Sequence, residues 1–181
     1  METFSAGDLA AVAGIFALAG FVKGVIGLGL PTVALGFSTA VVGLDAAIAL
    51  MVVPSLVTNL WQAGQGSRFR ELLGRFWPMF VAVVAATLIG GYLAAGIGGH
   101  YLAALLGALT GIYGLIGLIG RIPSLTDTLS RRILPAVGAV NGILTGLTGS
   151  FVFPGVMYLQ ASGLPRDSLI QAMGMLFTVS S

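Results

Sequence analysis

The chain has 181 residues, of which 8 are Lys or Arg and 6 are Asp or Glu, so only 8% carry charge while 57% are hydrophobic. A soluble domain has about 25% charged residues, and a chain this poor in charge could not cover its surface in water. Cysteine is absent and His100 is the one histidine, which excludes disulfides, thiolate metal sites, a Cys nucleophile and His-rich clusters. The expected fold class is all-α, a polytopic helical membrane protein, and no enzyme chemistry is indicated.

The uncharged stretches divide the chain. Residues 9–22 carry no charge, and the segment before Lys23 holds Glu2 and Asp8 but no cation. That is the reverse of a basic signal-peptide n-region, so 9–22 reads as retained membrane helix. Residues 24–44 and 46–67 are also free of charge, as is 76–120 apart from His100. A span needs about 20 apolar residues at 1.5 Å each, so 76–120 holds two. Their break is expected at Gly96-Ile97-Gly98-Gly99-His100, with His100 a solvated turn residue. Further uncharged segments run over 133–165 and from 168 to the end.

Cations in short loops set the orientation. Arg68, Arg70 and Arg75 fall in loop 64–75, and Arg121, Arg131 and Arg132 in loop 121–132. The loops bracket a two-span hairpin, so both lie on one side, and the excess of arginine makes that side cytoplasmic. The expected location is the cell inner membrane. Trp61 and Trp77 flank the first basic loop, where an interfacial aromatic belt would place them.

Laid over itself at an offset of 122, the chain matches without gaps. Gly20 falls on Gly142, Gly24 on Gly146, Gly27 on Gly149, Asp45 on Asp167 and Met51 on Met173. The expected organisation is therefore a first repeat over 1–121, with about four membrane segments, and the start of a second over 122–181. A second unit of about 120 residues would extend beyond residue 181, so the chain is expected to be C-terminally incomplete. If 9–42 crosses the membrane once, the repeats are parallel; if it re-enters, they are inverted. Asp45 and Asp167 each open a helix and are read as caps. Gly107, Gly111, Gly114, Gly117 and Gly120 are read as packing positions.

The chemistry is expected at the glycine breaks. Residues 9–42 would make about 50 Å of continuous helix, more than one hydrocarbon core. Within that segment, Pro31 removes an amide donor and Gly24, Gly27 and Gly29 weaken the helix before it. A helix broken there must line a protein or watery cavity, because lipid cannot satisfy its freed backbone groups. Helix N-termini at such a cavity favour an anion. The second copy adds Asn141, Thr145, Gly146, Thr148, Gly149 and Ser150, and ends in Pro154-Gly155. Lys23 is either an anion-binding or gating charge or a lysine snorkelling to the interface. Asn59 and Gln171 are further candidates to line a pathway.

A glycine-rich motif followed by proline, repeated after several spans with an acidic residue opening the next helix, resembles the sulfite exporter TauE/SafE family. The family usually shows G-x-G-G-G, where this chain reads Gly27-Leu28-Gly29-Leu30-Pro31 and Gly149-Ser150-Phe151-Val152. The resemblance implies an inner-membrane transporter of sulfite, an organosulfonate or a related small anion. The expected mechanism is alternating access at a midplane site where the two glycine breaks face each other. No cofactor or metal is implied. The partners expected are the lipid bilayer and a small anionic substrate, with no nucleic acid and with a homo-oligomer left open. The alternative reading is a non-transporting membrane subunit whose glycines serve helix packing and assembly.

Overall fold

The computed structural model describes residues 5–28, 30–120 and 127–181, and every regular element among them is helical. Helix α1 (Ala6–Ile26) starts on a reciprocal cap in which Ser5 and Asp8 bond each other's backbone amides. It ends at Gly27 in the left-handed region (φ 77), where a residue with a Cβ would be strained. A π-helical turn (Leu30–Ala34) and helix α2 (Leu35–Val42) follow. Ala34 packs on Ala19 with Ile15, Phe16 and Val33 around them, so the chain folds back along α1 after Gly27. Residues 9–42 therefore fold back on themselves and do not form one continuous helix.

Helix α3 (Leu44–Gly64) runs parallel to α1, because Lys23 meets Asn59 and Gly27 meets Gln62. Helices α4 (Phe69–Ala94) and α5 (Gly99–Ile119) part at the expected break, a turn at residues 95–98 with His100 exposed in the first turn of α5. Helix α6 (Asp127–Thr148), the short α7 (Gly155–Ala161) and α8 (Arg166–Ser180) complete the described fold. Four helices, α1, α3, α4 and α5, are long and apolar enough to cross a membrane.

The α4–α6 pairing is the most extensive contact and is made by glycine. Gly138, Gly142 and Gly146 recur every four residues on α6 and lie against Met79, Val83 and Thr87 of α4. A Cβ on Gly142 would come 2.5 Å from the Val83 carbonyl oxygen, and one on Gly146 would overlap the Thr87 carbonyl. With apolar lipid outside, such small-residue stripes let two backbones approach where hydrophobicity gives no drive. Both helices therefore run the same way. Helix α8 is antiparallel to α3: Gln171 bonds the carbonyls of Ala63 and Gly66, while Ser181 lies near Ser55 and Asn59.

Several sequence expectations are corrected. Among the described residues, the glycines of α5 and its C-cap pack on nothing: a Cβ at Gly107, Gly111, Gly114, Gly117 or Gly120 would meet no atom within 4 Å. Asp45 and Asp167 sit in the first turns of α3 and α8, but the cap positions are Gly43 and Pro165 and no side-chain cap bond forms. Arg70 and Arg75 belong to the first turns of α4, and Arg131 and Arg132 to α6, so the basic loops are shorter than drawn. Arg121 lies outside the described residues.

Candidate functional site

A cavity of about 1030 Å³ opens between α1, α3 and the start of α8. Gly20, Lys23, Gly24 and Gly27 line it from α1, and Thr58, Trp61 and Gln62 from α3. Gln65, Arg166 and Asp167 lie at its polar end, where Gln171 also joins α8 to the α3–α4 loop by accepting from the Arg68 amide at 3.3 Å. The cavity thus reaches the end of the bundle that carries Arg68, Arg70, Arg75 and Arg166. Among the described residues, a Cβ at Gly20 or Gly24 would meet nothing within 4 Å, so these glycines face open space. Their counterparts Gly142 and Gly146 do the opposite.

Lys23 is the centre of the site. It is only 8% exposed, and the local reason is the bare backbone around it: Gly20 and Gly24 leave room for its stem to lie inward. Its Nζ donates to Asn59 Oδ1 and lies 5.7 Å from the centre of the Phe177 ring. Both partners are neutral, and among the described residues no carboxylate lies within ion-pair distance of it. Burying an ammonium without a counter-charge costs several kcal/mol. Gln62 sits beside it and donates to the carbonyls of Gly27 (3.2 Å) and Ile170 (2.9 Å), which leaves its Oε1 buried and unpartnered.

Asn59 continues the chain of contacts inward. Its Nδ2 donates to Ser55 Oγ at 3.0 Å and Ser181 Oγ at 3.1 Å. Those hydroxyls border a second, smaller cavity of about 130 Å³, to which Thr87, Thr145, Gly149 and Ser180 also contribute. Ser55, Asn59 and Gln62 lie at helical spacing i, i+4, i+7 on one face of an otherwise apolar span. That stripe was the sequence signal for Ser55 and Gln62, which sequence reasoning missed.

Eight of the eleven candidate residues fall into three groups. Lys23, Gly24 and Gly27 share the large cavity, while Thr145 and Gly149 border the small one. Asn141, Thr148 and Ser150 are engaged in the turn after α6: Asn141 Oδ1 accepts from the Gly155 amide at 2.9 Å, and Thr148 Oγ1 accepts from the Ser150 amide at 3.2 Å. Gly146 is held against α4. Pro31 lies in the π-helical turn, and Gly29 falls outside the described residues. The two breaks do not face each other. Gly27 abuts Gln62 whereas Gly149 abuts Ile48, about four turns or roughly 20 Å away along α3.

The family model that matches is described as sulfite exporter TauE/SafE, and it covers residues 12–181. The chain belongs to the sulfite exporter TauE/SafE family. No curated protein and no solved structure matches it. Membership makes the chain a multi-pass membrane transporter and not an enzyme. For a TauE/SafE chain, a helix that ends and folds back just after a buried lysine is the feature that calls for a functional account.

Proposed function

We propose that the chain carries a small oxyanion, sulfite or a small organosulfonate, across the cell inner membrane, binding it at Lys23. The observation that carries this reading is a buried ammonium whose partners are an amide and a ring, facing an open cavity floored by glycine. An anion entering there supplies the missing counter-charge, and Gly24 and Gly27 let it come close to the backbone. The exposed polar end of the cavity lies with the arginines, so the positive-inside rule gives it access from the cytoplasm.

The helix directions support an inverted repeat. Helices α1 and α6 end on Gly27 and Gly149, both left-handed, and α3 and α8 begin at Leu44 and Arg166. Each pair is separated by the same 122 positions found in the sequence. Three crossings, α3, α4 and α5, separate the copies and leave the second upside down. Inverted halves can exchange conformations, which is the structural basis of alternating access. In this reading the Gly27 break gates one side and the Gly149 break the other, with Lys23, Asn59 and Ser55 between.

The test is uptake by liposomes containing the protein, with sulfite, a small sulfonate, chloride and a cation offered in parallel. Saturable flux of the sulfur oxyanions and not of the cation supports the proposal. Absence of flux for every anion, from folded protein, would favour the packing subunit instead.

A further inference from the structure

The inner cavity of about 130 Å³ differs in chemistry from the one at Lys23. Three hydroxyls on its wall have their protons committed to backbone carbonyls. Thr145 Oγ1 donates to Asn141 O at 2.8 Å, Ser180 Oγ to Leu176 O at 2.8 Å and Ser181 Oγ to Phe177 O at 2.8 Å. Asn59 Nδ2 fixes Ser55 and Ser181 from the far side. With their protons so used, Thr145, Ser180 and Ser181 have only oxygen lone pairs left to offer a ligand. Thr87 Oγ1, also on the cavity wall, is buried without a partner. The cavity further borders Gly149, where α6 ends and its last carbonyls concentrate negative potential. An anion would meet repulsion here; a cation would meet ligands.

We propose that this cavity is a binding site for a small monovalent cation, sodium, held by the hydroxyl oxygens of Ser55, Thr87, Thr145 and Ser180. Half-helix C-terminal ends and neutral oxygens are the means by which transporter cores hold a desolvated cation. The volume suits one ion with two or three waters, taking about 30 Å³ per water. The site rests on the transporter reading for its purpose, because it explains coupling. Lys23 grips Asn59 Oδ1, and the same amide grips Ser55 and Ser181, so the two sites are separated by one side chain. While Lys23 lacks a counter-charge, its field opposes the cation. An anion at Lys23 removes that opposition, and by reciprocity sodium must strengthen anion binding by the same factor.

Sodium binding is measurable without transport, from the unfolding midpoint of the purified protein in detergent. Sodium chloride is titrated against choline chloride at constant ionic strength, with potassium chloride as a second series, and each series is run with and without sulfite. The expected result is a saturable rise with sodium alone, at lower sodium when sulfite is present. Thr87→Val deletes an oxygen that has no partner, so this variant is expected to fold at least as well in choline. Its half-saturating sodium should be about tenfold higher, the size expected for losing one ligand. Ser55→Ala should weaken sodium in the same way. Equal midpoints in sodium and choline, an equal rise with potassium, or unchanged sodium dependence in both variants would overturn the cation site. A sodium response that sulfite does not alter would instead remove the coupling and count against the anion site.

Discussion

Replacing Lys23 with Gln separates the two energies that meet at this residue. The amide keeps the reach of the side chain and can still bond Asn59, but it carries no charge. A unit charge 4 Å from an anion is worth about 4 kcal/mol at an effective dielectric constant of 20. Exchange with water reduces the net to the about 1.5–3 kcal/mol of a hydrogen bond to a charged group. Affinity for sulfite or a sulfonate should therefore fall about 10- to 150-fold. Stability without anion should move the other way or hold, because Lys23 is buried with only Asn59 and Phe177 as partners and its ammonium has no counter-charge there. One assay reads both: the unfolding midpoint as a function of anion concentration, for wild type and variant. A variant that binds the anion within twofold of wild type would refute the assignment of Lys23. So would a large loss of stability in the absence of anion, which would show the lysine to be structural.

Other predictions follow from the packing and topology. Gly142→Leu must drive a side chain into the Val83 carbonyl and Ala86, and should cost at least the about 1–3 kcal/mol of overpacking, whereas Gly111→Ala on the open face of α5 should be neutral by thermal unfolding. Gly27→Ala and Gly149→Ala should each cost about 1–2 kcal/mol, since both positions are left-handed; equal midpoints for wild type and variants would contradict the helix ends. Gln171→Leu removes the bonds from α8 to Ala63, Gly66 and Arg68, and a loss of about 1–3 kcal/mol is expected. The chain has no cysteine, so single-cysteine variants report sidedness cleanly. Ser5→Cys and Asp45→Cys should label from one side and Ser67→Cys from the other; opposite sides for the first two would restore a single crossing for 9–42.

Much of the helical layout was legible in the sequence because its signals are local. The run Gly96–Gly99 breaks an uncharged stretch too long for one span, and α4 and α5 part there. Gly27 and Gly149 were found as a repeated spacing, and both close helices. The fold-back after Gly27 was not legible, since an apolar segment has the same composition whether it runs on or turns back; the contact of Ala34 with Ala19 shows it. Glycine spacing likewise says that a face can be approached, not which helix approaches it. That is why Gly20/Gly24, Gly142/Gly146 and the α5 glycines all read as packing positions, while only the α6 pair among them packs within the described residues. At the site, Lys23 was visible as a lone charge in an apolar run. Ser55, Gln62 and Thr87 were not singled out, because an isolated hydroxyl or amide acquires meaning only from the neighbours that α8 and α6 bring to it.

The central claim, an anion held at Lys23 in a cavity reached from the arginine-bearing side, is tested most directly by protection of a single cysteine. Thr58→Cys lines that cavity. A membrane-impermeant thiol reagent should modify it from the arginine side only, and a small sulfonate should slow the reaction saturably, an effect that Lys23→Gln abolishes. Modification from the opposite side, or a rate that the sulfonate leaves unchanged in protein that still transports it, would contradict the account.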